Sequence, residues 1–145
     1  SVKLSSHNFI RVWNMLSNSR IVLSLIGFVL ILQSLGFVIF AHEITIIMFP
    51  FAENNIEALE LGVSLRYAMA SGLFFLGMLL LLCRGITKSA AQRLLFCCGL
   101  GFIVVLLSLT YLNIFRDVHI SKIIYIIHFV LALLAFYVSS RKFQE

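Results

Sequence analysis

The sequence predicts an all-α integral membrane fold: a four-helix bundle preceded by a short N-terminal helix lying at the membrane interface. Three observations predict it. Hydrophobic residues make up 61% of the 145 and mean hydropathy is +1.07, whereas a soluble domain holds roughly 45–50% apolar residues. Four apolar runs, at about 21–41, 61–83, 94–115 and 120–138, each reach the roughly 20 residues that a helix needs to cross about 30 Å of hydrocarbon. The charges lie almost wholly between those runs, in segments that alternate in sign.

That alternation sets an orientation. Lys3, Arg11 and Arg20 precede the first run, and Glu43, Glu53, Glu57 and Glu60 follow it. Arg84, Lys88 and Arg93 lie between the second and third runs, and Arg141 and Lys142 close the chain. Under the positive-inside rule the N-terminus, the second loop and the C-terminus are cytoplasmic. Only Arg66, Arg116 and Lys122 of the 11 basic residues then fall outside. Lipid offers no partner to free peptide groups, so the runs are helices or strands of a closed barrel. Their continuous apolar character, without strict alternation, selects helices. The net charge of +5 does not point to nucleic acid, because most of the bases flank the runs. By length the chain is a single transmembrane domain, residues 1–145.

Each element has a local reason. At about 6–18, Phe9, Ile10, Trp13 and Leu16 recur at helical spacing among polar residues, with Ser5 or Ser6 as cap, which predicts the interfacial helix. The first run ends without a small-residue cleavage pattern and reads as a retained helix, not a signal peptide. An outer loop at about 42–60 follows, with Pro50 ending any helix begun at His42. Its apolar string IIMFPF is too short to span and dips into the interface. The second helix starts early if Asn54 or Asn55 caps it with Glu57 in the first turn. The short loops RGITKSAAQR and RDVHISK make helices two and three, and then three and four, antiparallel neighbours. Cys83, Cys97 and Cys98 fall at cytoplasmic ends, where thiols stay reduced.

In lipid, helices associate through close packing at small residues. Ser24, Gly27 and Ser34 supply these on the first helix, and Ser64, Ala68 and Gly72 on the second. Cys97 and Gly101 do so on the third, and Ala132, Ala135 and Ser139 on the fourth. Such faces fit a compact bundle, and equally a surface kept for another subunit.

Four groups of residues could carry chemistry. Gln33 and His128 sit at matched depth inside the membrane, where a polar side chain is costly without a partner. An interhelical hydrogen bond is the plain reading, and a ligand or proton role the sharper one. Arg66 and Tyr67 lie near the outer end of helix two, at the depth of His42, Glu43, Glu60, Asn113, Arg116, Asp117 and Tyr125. There Arg66 either anchors by pairing with Glu60 or Asp117, or meets an anionic headgroup or a quinone carbonyl. Haem is disfavoured, because His119 and His128 are nine apart and so on opposite faces of one helix. No close ligand spacing marks a metal site at His42, Glu43 and His119. No catalytic motif is present: no nucleophile elbow, P-loop or HExxH.

The string SRIVLSLIGFVLILQSLGF, a proline-containing outer loop and SLRYAMASGLFFLGMLLLLCRG together resemble the first half of DoxX-like small bacterial membrane proteins. Arg20, Gly27 and Gly36 match the opening helix in kind, and Arg66, Gly72 and Gly77 the second, over residues 20–93. The resemblance implies four helices in a bacterial cytoplasmic membrane and association with quinone-linked oxidoreductases. Scarce catalytic groups, a small-residue face on every helix and short soluble parts give the expectation of a non-catalytic membrane subunit of a larger complex, respiratory or quinone-linked if the resemblance is followed. It would contact lipids and other subunits and contribute a lipid or quinone groove at Arg66, Tyr67, His128 and Gln33, with no other cofactor. The alternative is a stand-alone quinone- or lipid-binding redox or transport component.

Overall fold

A computed structural model describes residues 18–116 and 118–141, and no strand occurs among them. The elements are α1 (Ser19–Ile39), α2 (Ala41–Met48), a 3-10 turn (Pro50–Asn54), α3 (Ile56–Leu82), a second 3-10 turn (Cys83–Gly85), α4 (Lys88–Phe115) and α5 (Lys122–Ser140). Four helices, α1, α3, α4 and α5, are long and apolar enough to cross a membrane. The interfacial helix expected at about 6–18 falls outside the described residues except for Asn18, whose side chain accepts from the Arg20 N–H at 3.0 Å and caps α1.

The connection between the first two spanning helices differs from the expected loop in being almost wholly helical. At Phe40 the chain bends without losing its bonding. The Phe40 N–H reaches the Gly36 carbonyl and the Phe40 carbonyl accepts from Ile44, both at 2.9 Å. Closing peptide bonds locally is what a segment beside hydrocarbon requires. Pro50, lacking an N–H, opens the 3-10 turn after α2 ends at Met48. Asn55 then caps α3 by accepting from the Ala58 N–H at 3.1 Å. The second spanning helix thus begins at Ile56 rather than near 61.

Packing comes as two antiparallel pairs joined through α1. In the first, Gly27 of α1 faces Gly77 of α3 so closely that a Cβ on either would lie 2.7 Å from the other's carbonyl oxygen. Nearer the end of the bundle that carries α2, the Ser34 hydroxyl donates to the Ala70 carbonyl at 2.7 Å. In the second pair, Phe96 of α4 meets Phe136 of α5 edge to face at 5.6 Å, and Phe102 meets His128 at 5.9 Å. The core is built from Val22, Leu23, Ile26 and Leu30 of α1 together with Leu80, Leu95, Leu131 and Ala135 of the other helices.

One expectation, that the second and third spanning helices are packing neighbours, is corrected. Helices α3 and α4 are joined by a short loop yet make little or no direct contact, and α1 packs against both pairs. Where lipid removes the hydrophobic drive, neighbours are set by closest backbone approach, and α3 meets α1 through the face that carries Ala70 and Gly77. That face is Arg66, Ala70, Leu73, Gly77 and Leu80, spaced alternately four and three. The stripe Ser64, Ala68 and Gly72 points outward and is exposed, as are Cys97 and Gly101 on α4. Gly27, Ser34, Ala132 and Ala135 are buried as their faces require.

Candidate functional site

The turns of α3 that face α1 and α2 begin at Gly62, where an added Cβ would overlap the Thr45 methyl. One turn further on the same face comes Arg66, aimed into the angle between α1 and α2. It is 6% exposed. Its Nη2 donates to the Met48 Sδ at 2.8 Å and its Nη1 lies 4.0 Å from the Met69 Sδ. The guanidinium carbon sits 5.6 Å from the Phe37 ring centroid. Nε is buried and has no hydrogen-bond partner among the described residues.

The pairing of Arg66 with Glu60 does not occur. Six positions at about 100° each put Glu60 on another side of α3, where it is exposed. The other proposed acid, Asp117, lies outside the described residues. Among the described residues, two thioethers and a ring stand around a charge that a carboxylate was expected to meet. Sulfur is a weak acceptor and an aromatic face a modest electrostatic one.

The remaining predicted site residues are placed apart. Tyr67, the next residue on α3, is 50% exposed on a different side. Gln33 is half-buried. His128 is buried in α5, its Nδ1–H donating to the Ile124 carbonyl at 2.8 Å. No hydrogen bond joins Gln33 to His128 among the described residues; Ser34, the residue after Gln33, instead makes a polar link from α1 to α3. His42 and His119 are exposed. The His119 N–H bonds the Met48 carbonyl at 3.3 Å, tying the α4–α5 connection to α2 and so to the back of the Arg66 site. No group of three or more His, Cys, Asp or Glu side chains that could hold a metal ion occurs among the described residues.

What this arrangement can do is limited and definite. A guanidinium stays protonated and only donates, so Arg66 can orient and stabilise an oxygen carrying negative charge but cannot serve as a base. One larger feature escaped the sequence: a cavity of about 810 Å³ between α4 and α5 at their Ser89 and Ser140 ends. Its signal was Ser89, Gln92, Arg93 and Phe96, recurring at helical spacing on α4. Comparison of the chain with protein-family models, with curated proteins and with solved structures finds no match.

Proposed function

We propose that this protein is a non-catalytic integral membrane subunit of a larger membrane assembly, with its termini on the cytoplasmic side of a bacterial inner membrane. The observation that carries the reading is the outer face of α3. Ser64, Ala68 and Gly72 recur every fourth residue and are exposed, and a Cβ on Gly72 would meet nothing within 4 Å. A stripe of that kind admits another helix at close range, which is how spanning helices associate. Because α3 packs chiefly on α1 and α2, the stripe is left exposed among the described residues. The soluble connections are too short for a catalytic domain. Purification of the full chain in mild detergent, followed by mass determination, tests the proposal. A stable assembly with other membrane polypeptides is expected, and a lone monomer with no co-purifying partner overturns the reading.

Arg66 supports a second reading, a quinone- or lipid-binding component acting by itself. A buried cation whose Nε has no partner among the described residues is costly inside a membrane and is by default a functional position. A quinone carbonyl or a phosphate oxygen would supply the acceptor it favours.

A further inference from the structure

The cavity between α4 and α5 has a two-part chemistry. Its floor, toward the membrane centre, is Phe96, Leu133 and Phe136; its mouth holds Ser89, Gln92 and Arg93. Arg93 is exposed and has no hydrogen-bond or ion-pair partner among the described residues. Arg141 does not line the cavity, but its guanidinium lies 5.3 Å from the ring centroid of Tyr137, which does, and so supplies a second positive charge on the α5 side. The Gln92 side chain donates to the Arg141 carbonyl and holds the two helix ends together around the opening. This end is also the start of α4, where the helix dipole is positive and Thr87 makes no side-chain cap bond. Every described acid, Glu43, Glu53, Glu57 and Glu60, lies at the other end of the molecule.

A positive, hydrogen-bonding mouth above an apolar floor selects an amphiphile with a negative head. The volume of about 810 Å³ falls within the roughly 300–1,000 Å³ of small-ligand sites. Its place is where such molecules already are, since basic pockets between spanning helices hold anionic headgroups. We propose that this cavity binds an anionic phospholipid, with Arg93 and Arg141 flanking the phosphate and Phe96, Leu133 and Phe136 against the upper acyl chain. The site is separate from Arg66. The proposal rests on the spanning assignment of α4 and α5 and on the cytoplasmic orientation proposed above for their basic ends, and is independent of whether a partner subunit binds α3.

Native mass spectrometry of the full chain in mild detergent, with phosphatidylglycerol or phosphatidylcholine added, provides the test. The wild-type chain should retain phosphatidylglycerol in preference. Arg93→Gln should reduce that preference about fivefold, the factor for one Lys or Arg beside an anionic surface. Arg84→Gln removes an exposed cation from the turn after α3 and should leave the preference unchanged. Cys97 lines the cavity and supplies a local readout. In a chain carrying Cys83→Ala and Cys98→Ala, phosphatidylglycerol should slow its alkylation by a maleimide more than phosphatidylcholine does. The proposal is overturned by equal binding of the two lipids, by equal losses in Arg84→Gln and Arg93→Gln, by an unaltered preference in Arg93→Gln, or by a Cys97 rate that phosphatidylglycerol does not change.

Discussion

Arg66 keeps a full charge in surroundings of two sulfurs and a phenyl ring, and the energetics of that choice are testable. A buried charge with no ion pair among the described residues gains little from its neighbours, so an apolar side chain of similar length should serve the fold as well or better. Replacing buried ionic groups with packed hydrophobic ones is often neutral or stabilising by about 1–4 kcal/mol. Arg66→Met should therefore match or exceed the wild-type chain in thermal stability in detergent, while its content of bound quinone and lipid falls. A loss of more than about 2 kcal/mol, comparable to breaking a buried polar network, would make the thioether contacts structural and remove the case for a ligand. The depth of Arg66 was legible from its position in the second apolar run. Its direction was not, because Glu60 was close in sequence but on another side of the helix, and because Met48 arrives from α2, a segment read as loop. The polar link between α1 and its neighbour was missed for a similar reason. Gln33 is the more polar residue and drew attention, yet Ser34, with a shorter side chain, sits where backbones are close enough for its hydroxyl to reach the Ala70 carbonyl.

Glycines at the α1–α3 crossing act on whole elements. A Cβ on Gly27 would sit 2.7 Å from the Gly77 carbonyl oxygen and 3.2 Å from the Leu81 nitrogen, so the obstruction is backbone and no rotamer change relieves it. Gly27→Ala should force α1 and α3 apart and cost about 1–3 kcal/mol, the usual range for overpacking, seen as a lower unfolding temperature in detergent. Gly72→Ala meets open space and replaces a poor helix former by the best, so the isolated chain should be as stable or gain up to about 1 kcal/mol. In the subunit reading the same change should weaken partner association, so Gly72→Ala separates fold from docking. Gly99→Ala is intermediate, because the group within about 3 Å is the Phe136 ring, which can swing. The four spans, a cap at Asn54 or Asn55 and the break at Pro50 were legible because each depends on length or local bonding. Which small residues face inward was not. Helices that are apolar on every side carry little amphipathic signal, so Ser64, Ala68 and Gly72 looked as fit for the interior as Gly77. Nor could loop length reveal that α1, rather than α4, is the neighbour of α3.

At the scale of the whole molecule, the arrangement of charge and apolar surface says how the chain sits in its solvent. No more than 33% of any spanning segment is buried within the protein, and side chains such as Phe75, 69% exposed, stand on the outside. Water would make that surface ruinous, whereas hydrocarbon makes it the expected exterior. The two ends of the bundle then differ in sign. The end formed by α2, the Pro50 turn and the start of α3 carries Glu43, Glu53, Glu57 and Glu60, and the opposite end carries Arg20, Arg84, Lys88, Arg93 and Arg141. Because α1, α3, α4 and α5 alternate in direction, a single insertion event for α1 sets all of them, and the basic end should be retained on the cytoplasmic side. A cysteine-free chain carrying Glu53→Cys or Ser140→Cys, expressed in intact bacterial cells whose outer membrane has been permeabilised, gives the answer directly. A membrane-impermeant maleimide should label position 53 from outside and position 140 only after the inner membrane is broken. The reverse pattern would invert the topology. It would also move the α4–α5 cavity to the outer leaflet, where the cytoplasmic leaflet's anionic lipids and surface potential no longer favour the occupant assigned to it.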